Sequence, residues 1–175
     1  MLKIAINGFG RIGRTFLRTA LEKKLDVVAI NDLTDAHTLM HLFKYDSVHG
    51  VFQGEVSADA DALYINGKKI CVLNESNIED LPWSKLAVDV VIESTGKNVT
   101  KEKAQKHLSS GAKRVIISAP ASEDVPMIVL GVNNPEIIRN ELIFSAASCT
   151  TNNIAPIIKV LHENWGVKNG YITTI

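Results

Sequence analysis

The chain has 175 residues, of which 46% are hydrophobic and 22% charged, so it can bury a core without disulfide bonds. Its 19 basic and 19 acidic residues balance, which argues against nucleic acid or an anionic membrane as partner and favours small molecules. No apolar run reaches the roughly 20 residues of a membrane span and no signal peptide precedes the first strand, so we expect a cytoplasmic protein whose cysteines, Cys71 and Cys149, are free thiols.

Short apolar runs alternate with helical patterns along the chain, as in βαβ units with a parallel sheet. Strands are predicted at residues 3–7, 27–31, 88–93, 114–118, 127–130 and 142–145, and helices at 11–23, 36–44, 101–109 and 151–165. Between residues 52 and 73 the pattern changes to short alternating strands, with Asn66-Gly67 as a hairpin turn. The sequence therefore predicts an α/β fold: a Rossmann-type doubly wound, mostly parallel sheet with a small antiparallel insertion. Residues 170–175 have the composition of one more strand.

The first strand leads into a glycine-rich turn, Asn7-Gly8-Phe9-Gly10-Arg11-Ile12-Gly13, which is followed by a helix. Three glycines at this spacing permit a tight turn, close backbone approach to a pyrophosphate and close packing of helix on strand. Asp32 ends the second strand about 20 residues later, where a carboxylate accepts hydrogen bonds from ribose hydroxyls. Because Leu33-Thr34 supply no arginine for a 2′-phosphate, the pattern predicts NAD rather than NADP.

Small residues follow two later strands, in Ser94-Thr95-Gly96 and Ser118-Ala119-Pro120. An open parallel sheet places its ligand crevice at these strand ends. We predict no metal site. The predicted cofactor-binding residues are Asn7, Gly8, Gly10, Arg11, Ile12, Gly13, Asn31, Asp32, Ser94, Thr95, Gly96, Ser118 and Ala119.

Cys149 lies among small, hydroxyl-bearing residues directly before a predicted helix. The partial positive charge of a helix N-terminus favours the thiolate, which is the reactive species. Ser148 and Thr150 each offer a hydroxyl and a backbone amide, a set suited to an oxyanion or a phosphate. Cys71, in an apolar strand, is predicted to be structural. With NAD bound, a nucleophilic thiol indicates oxidation of an aldehyde through a thioester, which water or phosphate then cleaves.

The glycine turn and the cysteine stretch, with Lys44-Tyr45-Asp46-Ser47-Val48-His49-Gly50 and Ser118-Ala119-Pro120, closely resemble the phosphorylating glyceraldehyde-3-phosphate dehydrogenases of glycolysis, and the resemblance covers the whole chain. It implies that Cys149 is the nucleophile, that Ser148 and Thr150 help to bind phosphate, and that the enzyme is a homotetramer acting on glyceraldehyde 3-phosphate and inorganic phosphate. The resemblance also implies NAD contacts from Arg11, Ile12, Asp32, Thr95, Gly96 and Ser118.

The sequence departs from that family's pattern at three positions. The family usually has asparagine at Ala146, cysteine at Asn153, and near Asn98 an aromatic residue that stacks on the adenine. Moreover, the family's catalytic histidine and substrate domain follow the strand that matches residues 171–175. None of the chain's histidines occupies that place: His37, His41, His49, His107 and His162.

We therefore interpret residues 1–148 as an NAD-binding domain and residues 149–175 as the start of a catalytic domain, and we expect the natural protein to continue further. This chain alone is expected to bind NAD with little or no turnover. Two alternatives stay open, an erythrose-4-phosphate dehydrogenase and a non-catalytic NAD-binding module. Semialdehyde and acyl-phosphate reductases are more distant, because they lack the threonine pair after the thiol.

Overall fold

The computed structural model describes residues 1–174. Two 3₁₀ turns, Ile78–Asp80 and Pro135–Ile138, join the regular elements. The strands are β1 Lys3–Asn7, β2 Asp26–Asn31, β3 Tyr45–Asp46, β4 Gly50–Val51, β5 Val56–Ala58, β6 Ala62–Ile65, β7 Lys68–Leu73, β8 Val90–Glu93, β9 Arg114–Ile117 and β10 Ile143–Ser145. The helices are α1 Arg11–Glu22, α2 Ala36–Lys44, α3 Trp83–Leu86, α4 Lys101–Ser109 and α5 Cys149–Trp165.

One eight-stranded sheet organises the fold, in the order β10-β9-β8-β1-β2-β7-β6-β5. All neighbours from β10 to β7 are parallel, whereas β6 and β5 continue the sheet antiparallel. The hairpin predicted around Asn66-Gly67 is confirmed, and its second strand, β7, also pairs parallel to β2. A separate two-stranded sheet joins β3 and β4. The predicted Rossmann-type, mostly parallel sheet with a small antiparallel part is therefore confirmed.

Hydrophobic cores lie on both faces of the sheet, because the side chains of a strand alternate between faces. Ile4 and Ile6 of β1 belong to a buried cluster with Leu17 of α1. Ala5, between them, belongs to a second cluster around Trp83. Both faces of the sheet are covered, and buried polar residues lie at the carboxyl ends of β1, β2 and β8: Asn7, Asn31 and Glu93.

Two strand predictions are wrong, and several predicted boundaries differ from the structure by one or two residues. Residues 127–130 form only an isolated bridge from Met127 to Ser145, because the side chain of Asn133 takes up the ladder groups: its Oδ1 accepts from Val129 N at 2.8 Å and its Nδ2 donates to Met127 O at 2.8 Å. The strand predicted at 170–175 is wrong for residues 170–174, which have no regular structure, and Ile175 lies outside the described residues. Helix α5 begins at Cys149 rather than at residue 151.

Across the described part of the chain, no helix combines the length and the apolar character that spanning a membrane requires.

Candidate functional site

A cavity of about 330 Å³ opens at the carboxyl ends of β1, β2 and β8. It brings together part of the predicted cofactor-binding set: Asn7, Gly8, Gly10, Asn31, Asp32, Ser94 and Thr95. The other predicted residues lie outside its lining: Arg11, Ile12, Gly13, Gly96, Ser118 and Ala119. The cavity is also lined by residues that were not predicted as cofactor contacts: Leu33, Glu75, Ser76, Ile78, Lys97 and Asn98. Lys97 and Asn98 follow β8, so the rule that located Ser94 could have found them.

The three glycines of the turn have separate structural roles. Gly8 has φ +92°, and a Cβ there would lie 2.7 Å from the backbone nitrogen of Thr95. A Cβ at Gly13 would lie 2.3 Å from Gly8 O, so Gly13 lets α1 pack against the turn. A Cβ at Gly10 would meet nothing within 4 Å. Gly8 and Gly13 therefore bring backbones together, whereas Gly10 leaves space in the cavity.

Helix α1 begins at this open space without a side-chain cap. Its N-cap residue is Gly10, and no side chain of the described residues caps it. The first-turn N–H groups of Arg11 and Ile12 have no partner inside the helix. Uncapped N–H groups next to open space fit an anionic group such as a pyrophosphate.

Asp32 is held in a fixed orientation at the end of β2. Its Oδ2 accepts from Phe9 N at 2.7 Å, and its Oδ1 accepts from Thr34 N at 3.0 Å. The carboxylate is half-buried and lines the cavity, so its remaining lone pairs can accept from a ligand hydroxyl.

Asn7 and Asn31 use their side chains inside the protein. Asn31 Nδ2 donates to Asn7 Oδ1 at 2.7 Å, and Asn31 Oδ1 accepts from Glu75 N at 2.9 Å. Asn7 Nδ2 donates to Glu93 Oε2 at 2.7 Å. The two amides thus join the ends of β1, β2 and β8, and shape the cavity rather than offering free donors to it.

The predicted hydroxyl residues are also hydrogen-bonded within the protein. Ser94 Oγ donates to Gly8 O at 2.7 Å, and Ser118 Oγ donates to Glu93 O at 3.0 Å. Thr95 Oγ1 donates to Glu93 Oε1. Because their hydroxyl hydrogens are already donated, Ser94 and Ser118 can only accept from a ligand, whereas Thr95 Oγ1 already accepts from Lys97 N at 3.1 Å and from Asn98 Nδ2 at 3.3 Å.

Glu93, which belongs to no motif in the sequence, is buried beneath the cavity with 2% of its surface exposed. Its Oε2 accepts from Asn7, His107 and Asn98, at 2.7, 3.0 and 3.1 Å. Its Oε1 accepts from both the backbone nitrogen and the hydroxyl of Thr95. Burial acts to raise the pKa of Glu93, but the hydrogen bonds from His107, Thr95 and Asn7 outweigh it and hold the pKa below its usual value.

The predicted nucleophile, Cys149, is exposed at the first position of α5. Ser148 caps this helix, since its Oγ accepts from Thr151 N at 2.9 Å. The hydroxyls of Ser148 and Thr150 lie 2.9 Å apart. The structure therefore brings Cys149, Ser148 and Thr150 together at one helix N-terminus.

Ser145 connects this helix start to the end of β9. Its Oγ donates to Ala119 O at 2.6 Å and accepts from Ala147 N at 3.0 Å. Ala147 has φ +63°, a left-handed conformation that costs a residue with a Cβ about 1 kcal/mol or more. This turn directs the chain from β10 into the helix that carries Cys149.

Residues 2–101 match the family model described as "Glyceraldehyde 3-phosphate dehydrogenase, NAD binding domain", and residues 148–175 match that of the C-terminal domain of the same enzyme. The chain is similar to glyceraldehyde-3-phosphate dehydrogenases from Clostridium pasteurianum (53% identical), Clostridium acetobutylicum (54%) and Thermotoga maritima (52%).

Each alignment covers 100% of this chain but only 53%, 53% and 54% of the respective relative. The chain thus spans about half the length of the curated relatives it matches. The model of the NAD-binding domain alone covers more than half of the chain, and the alignments with the relatives cover the chain from end to end. The resemblance inferred from the glycine turn and the cysteine stretch is confirmed: the chain belongs to the glyceraldehyde-3-phosphate dehydrogenase family.

Proposed function

We propose that this chain is the NAD-binding part of an enzyme that oxidises and phosphorylates glyceraldehyde 3-phosphate. One observation carries the proposal: the uncapped start of α1 faces open space at Gly10, beside a crevice that contains the oriented carboxylate of Asp32. The names of the matched domain and relatives support NAD as the cofactor and this aldehyde as the substrate.

In this proposal the amides of Arg11 and Ile12 bind the pyrophosphate, and Asp32 accepts from the adenosine ribose. Gly10 leaves room for the phosphates, while Gly8 and Gly13 hold the turn against β8 and α1. NAD, when bound, supplies a hydride acceptor. Gly96, Ser118 and Ala119, which follow β8 and β9, are the remaining proposed cofactor contacts.

The proposed role of Cys149 is covalent catalysis. Its sulfur adds to the aldehyde carbon to give a hemithioacetal, which would become a thioester on losing a hydride, for which NAD is the acceptor, and its hydroxyl proton. The hydroxyls and amides of Ser148 and Thr150 bind phosphate, which cleaves the thioester and releases an acyl phosphate. The support is the position of the exposed thiol at the start of α5, beside both hydroxyls.

We further propose that residues 1–148 are the cofactor domain, and that residues 149–175 begin the catalytic domain of a cytoplasmic homotetramer in glycolysis. The match of residues 148–175 to the C-terminal family domain supports this boundary.

Calorimetric titration of this chain with NAD, with NADP as control, tests the cofactor proposal. Saturable binding of NAD and much weaker binding of NADP are expected, because a 2′-phosphate would lie against Asp32. Binding of neither would contradict an autonomous cofactor site. For a longer form that includes the rest of the protein, initial rates with glyceraldehyde 3-phosphate and erythrose 4-phosphate test the substrate, and a clear preference for the four-carbon sugar would overturn our choice.

A further inference from the structure

Two of the segments that line the crevice are distant from each other in sequence. One is the glycine turn after β1, and the other is the turn that follows β8, from Ser94 to Asn98; residues after β2 and β7, such as Leu33 and Glu75, line the rest. They lie so close that a Cβ at Gly8 would come within 2.7 Å of Thr95 N. The relative position of these two turns therefore helps to set the shape of the crevice that both of them line.

Glu93 is hydrogen-bonded to residues at both of these turns. It accepts from Asn7, which ends β1 directly before the glycine turn. It also accepts from Thr95 and Asn98, which belong to the turn after β8. Because a carboxylate only accepts, it can serve all of these donors together, whereas an amide in its place would present N–H groups to some of them.

His107 holds Glu93 from behind, outside the crevice. Its ring is fully buried, its Nε2 lies 3.0 Å from Glu93 Oε2, and it is not part of the cavity lining. Asn98, by contrast, lines the cavity and donates to Glu93 at 3.1 Å. The carboxylate thus accepts from one donor outside the crevice, His107, and from one that lines the crevice, Asn98.

We propose that Glu93 is a positioning residue for the dinucleotide: it fixes the glycine turn and the Ser94–Asn98 turn at the separation that NAD binding requires. This inference rests on the proposed cofactor. Glu93 does not contact the ligand itself, and it acts through Asn7, Thr95 and Asn98.

The matched control lies at the other end of the same strand. Asp89 directly precedes β8, and its carboxylate accepts from Lys3 N at 2.8 Å and from Lys113 Nζ at 2.6 Å. Asp89→Asn and Glu93→Gln therefore both weaken carboxylate hydrogen bonds on one strand, but only the second does so beneath the crevice. We expect Glu93→Gln to raise the NAD dissociation constant about tenfold or more, and Asp89→Asn to change it by less than about twofold.

Hydrogen exchange at the amide of Gly8 gives a second, ligand-free measurement. This amide donates to Asn31 O at 2.8 Å and makes no bond to Glu93. Faster exchange of Gly8 in Glu93→Gln, but not in Asp89→Asn, is expected if Glu93 holds the glycine turn. If the unaltered chain binds no NAD, the cofactor proposal fails, and this exchange measurement still decides the positioning role.

Variants of His107 test the same role if Glu93→Gln does not fold. His107→Gln retains an N–H donor for Glu93, whereas His107→Leu has none, and neither residue would line the crevice. We expect His107→Leu to weaken NAD binding and to speed Gly8 exchange, and His107→Gln to restore both in large part. Unchanged NAD affinity and unchanged Gly8 exchange in Glu93→Gln, or in His107→Leu, would overturn the proposal.

Discussion

The indole N–H of Trp83 donates to Nδ1 of His107 across 3.0 Å in the buried core. An indole nitrogen can only donate, so Nδ1 of His107 must accept. The proton of a neutral ring then lies on Nε2 and is donated to Glu93. Trp83 thus fixes which histidine tautomer supports the carboxylate beneath the crevice.

This relationship predicts the tautomer of His107 at neutral pH. In ¹⁵N-labelled protein, long-range ¹H–¹⁵N correlations of the ring should show a protonated Nε2 and an unprotonated Nδ1. The comparison variant is Trp83→Phe, which lacks the indole N–H that donates to His107 Nδ1. A ring protonated at Nδ1 in the unaltered chain would contradict the assigned hydrogen bonds.

Protonation of Glu93 should cost stability in acid. The pKa of Glu93 lies below its ordinary value of 4.5 in the folded chain, so its stabilising contribution is complete above that value and is lost as the pH falls through the folded pKa. His107 is the titratable group that faces it.

Urea unfolding of the chain and of Glu93→Gln between pH 7 and pH 3 measures this contribution. The difference in the free energy of unfolding should be about 2 kcal/mol near neutral pH and should shrink below the ordinary value, because the glutamine cannot titrate. A difference that stays constant over the whole range would show that ionised Glu93 stabilises the fold no more than its neutral form does.

Substitutions of two neighbouring glycines should separate binding from folding. Gly10→Ala adds a methyl group to open space at φ −70°, so stability should change by less than about 1 kcal/mol while NAD affinity falls about tenfold or more. Gly13→Ala places a Cβ 2.3 Å from Gly8 O, so it should lower stability by about 2 kcal/mol. Thermal unfolding and calorimetry on both variants test this, and tight NAD binding by Gly10→Ala would argue against the pyrophosphate at this turn.

The carboxylate of Asp32 should decide between the two cofactors. Asp32→Asn is expected to weaken NAD binding about tenfold and to narrow the preference over NADP, because it removes a charge that repels a 2′-phosphate. Asp35→Asn is the control: Asp35 caps α2 through Thr38 N, and asparagine caps helices equally well. Competition binding with both cofactors should leave Asp35→Asn within about twofold of the unaltered chain. An unchanged preference in Asp32→Asn would place the adenosine ribose elsewhere.

The two thiols should differ in reactivity. Cys149 is exposed at the start of α5, whereas Cys71 is half-buried in β7 between neighbouring strands. Iodoacetamide at neutral pH should alkylate Cys149 at least about tenfold faster, as followed by peptide mass spectrometry, and Cys149→Ser should lack the fast reaction. Equal rates at both cysteines would argue against an accessible, helix-terminal thiol.

Local patterns were sufficient for the first half of the crevice. The glycine turn, the strands on either side of α1 and the position of Asp32 all follow from spacing within about 30 residues. The confirmed hairpin at Asn66-Gly67 is local in the same way. These features depend on backbone geometry that neighbouring residues determine.

The remainder depends on contacts between distant segments. Glu75 lines the crevice because β7 pairs with β2. The alternating pattern of a hairpin does not reveal which other strand of the sheet the hairpin will pair with. The strand expected at residues 127–130 does not form, because the side chain of Asn133 bonds to the backbone groups of Met127 and Val129. Hydrogen bonds link Trp83 of α3 to His107 of α4 and His107 to Glu93 of β8. No spacing of these residues in the sequence indicates that they meet.

The placement of β1 in the middle of the sheet has a consequence for folding order. Strand β1 leaves the ribosome shortly before its neighbour β2, but its other neighbour, β8, follows so much later that Asn7 and Glu93 are 86 residues apart. Contacts of such long range form slowly, because a large loop must close first. The nascent chain therefore holds an open, unpaired edge along β1 until β8 arrives, and the crevice is assembled only when the carboxylate at the end of that strand reaches its place.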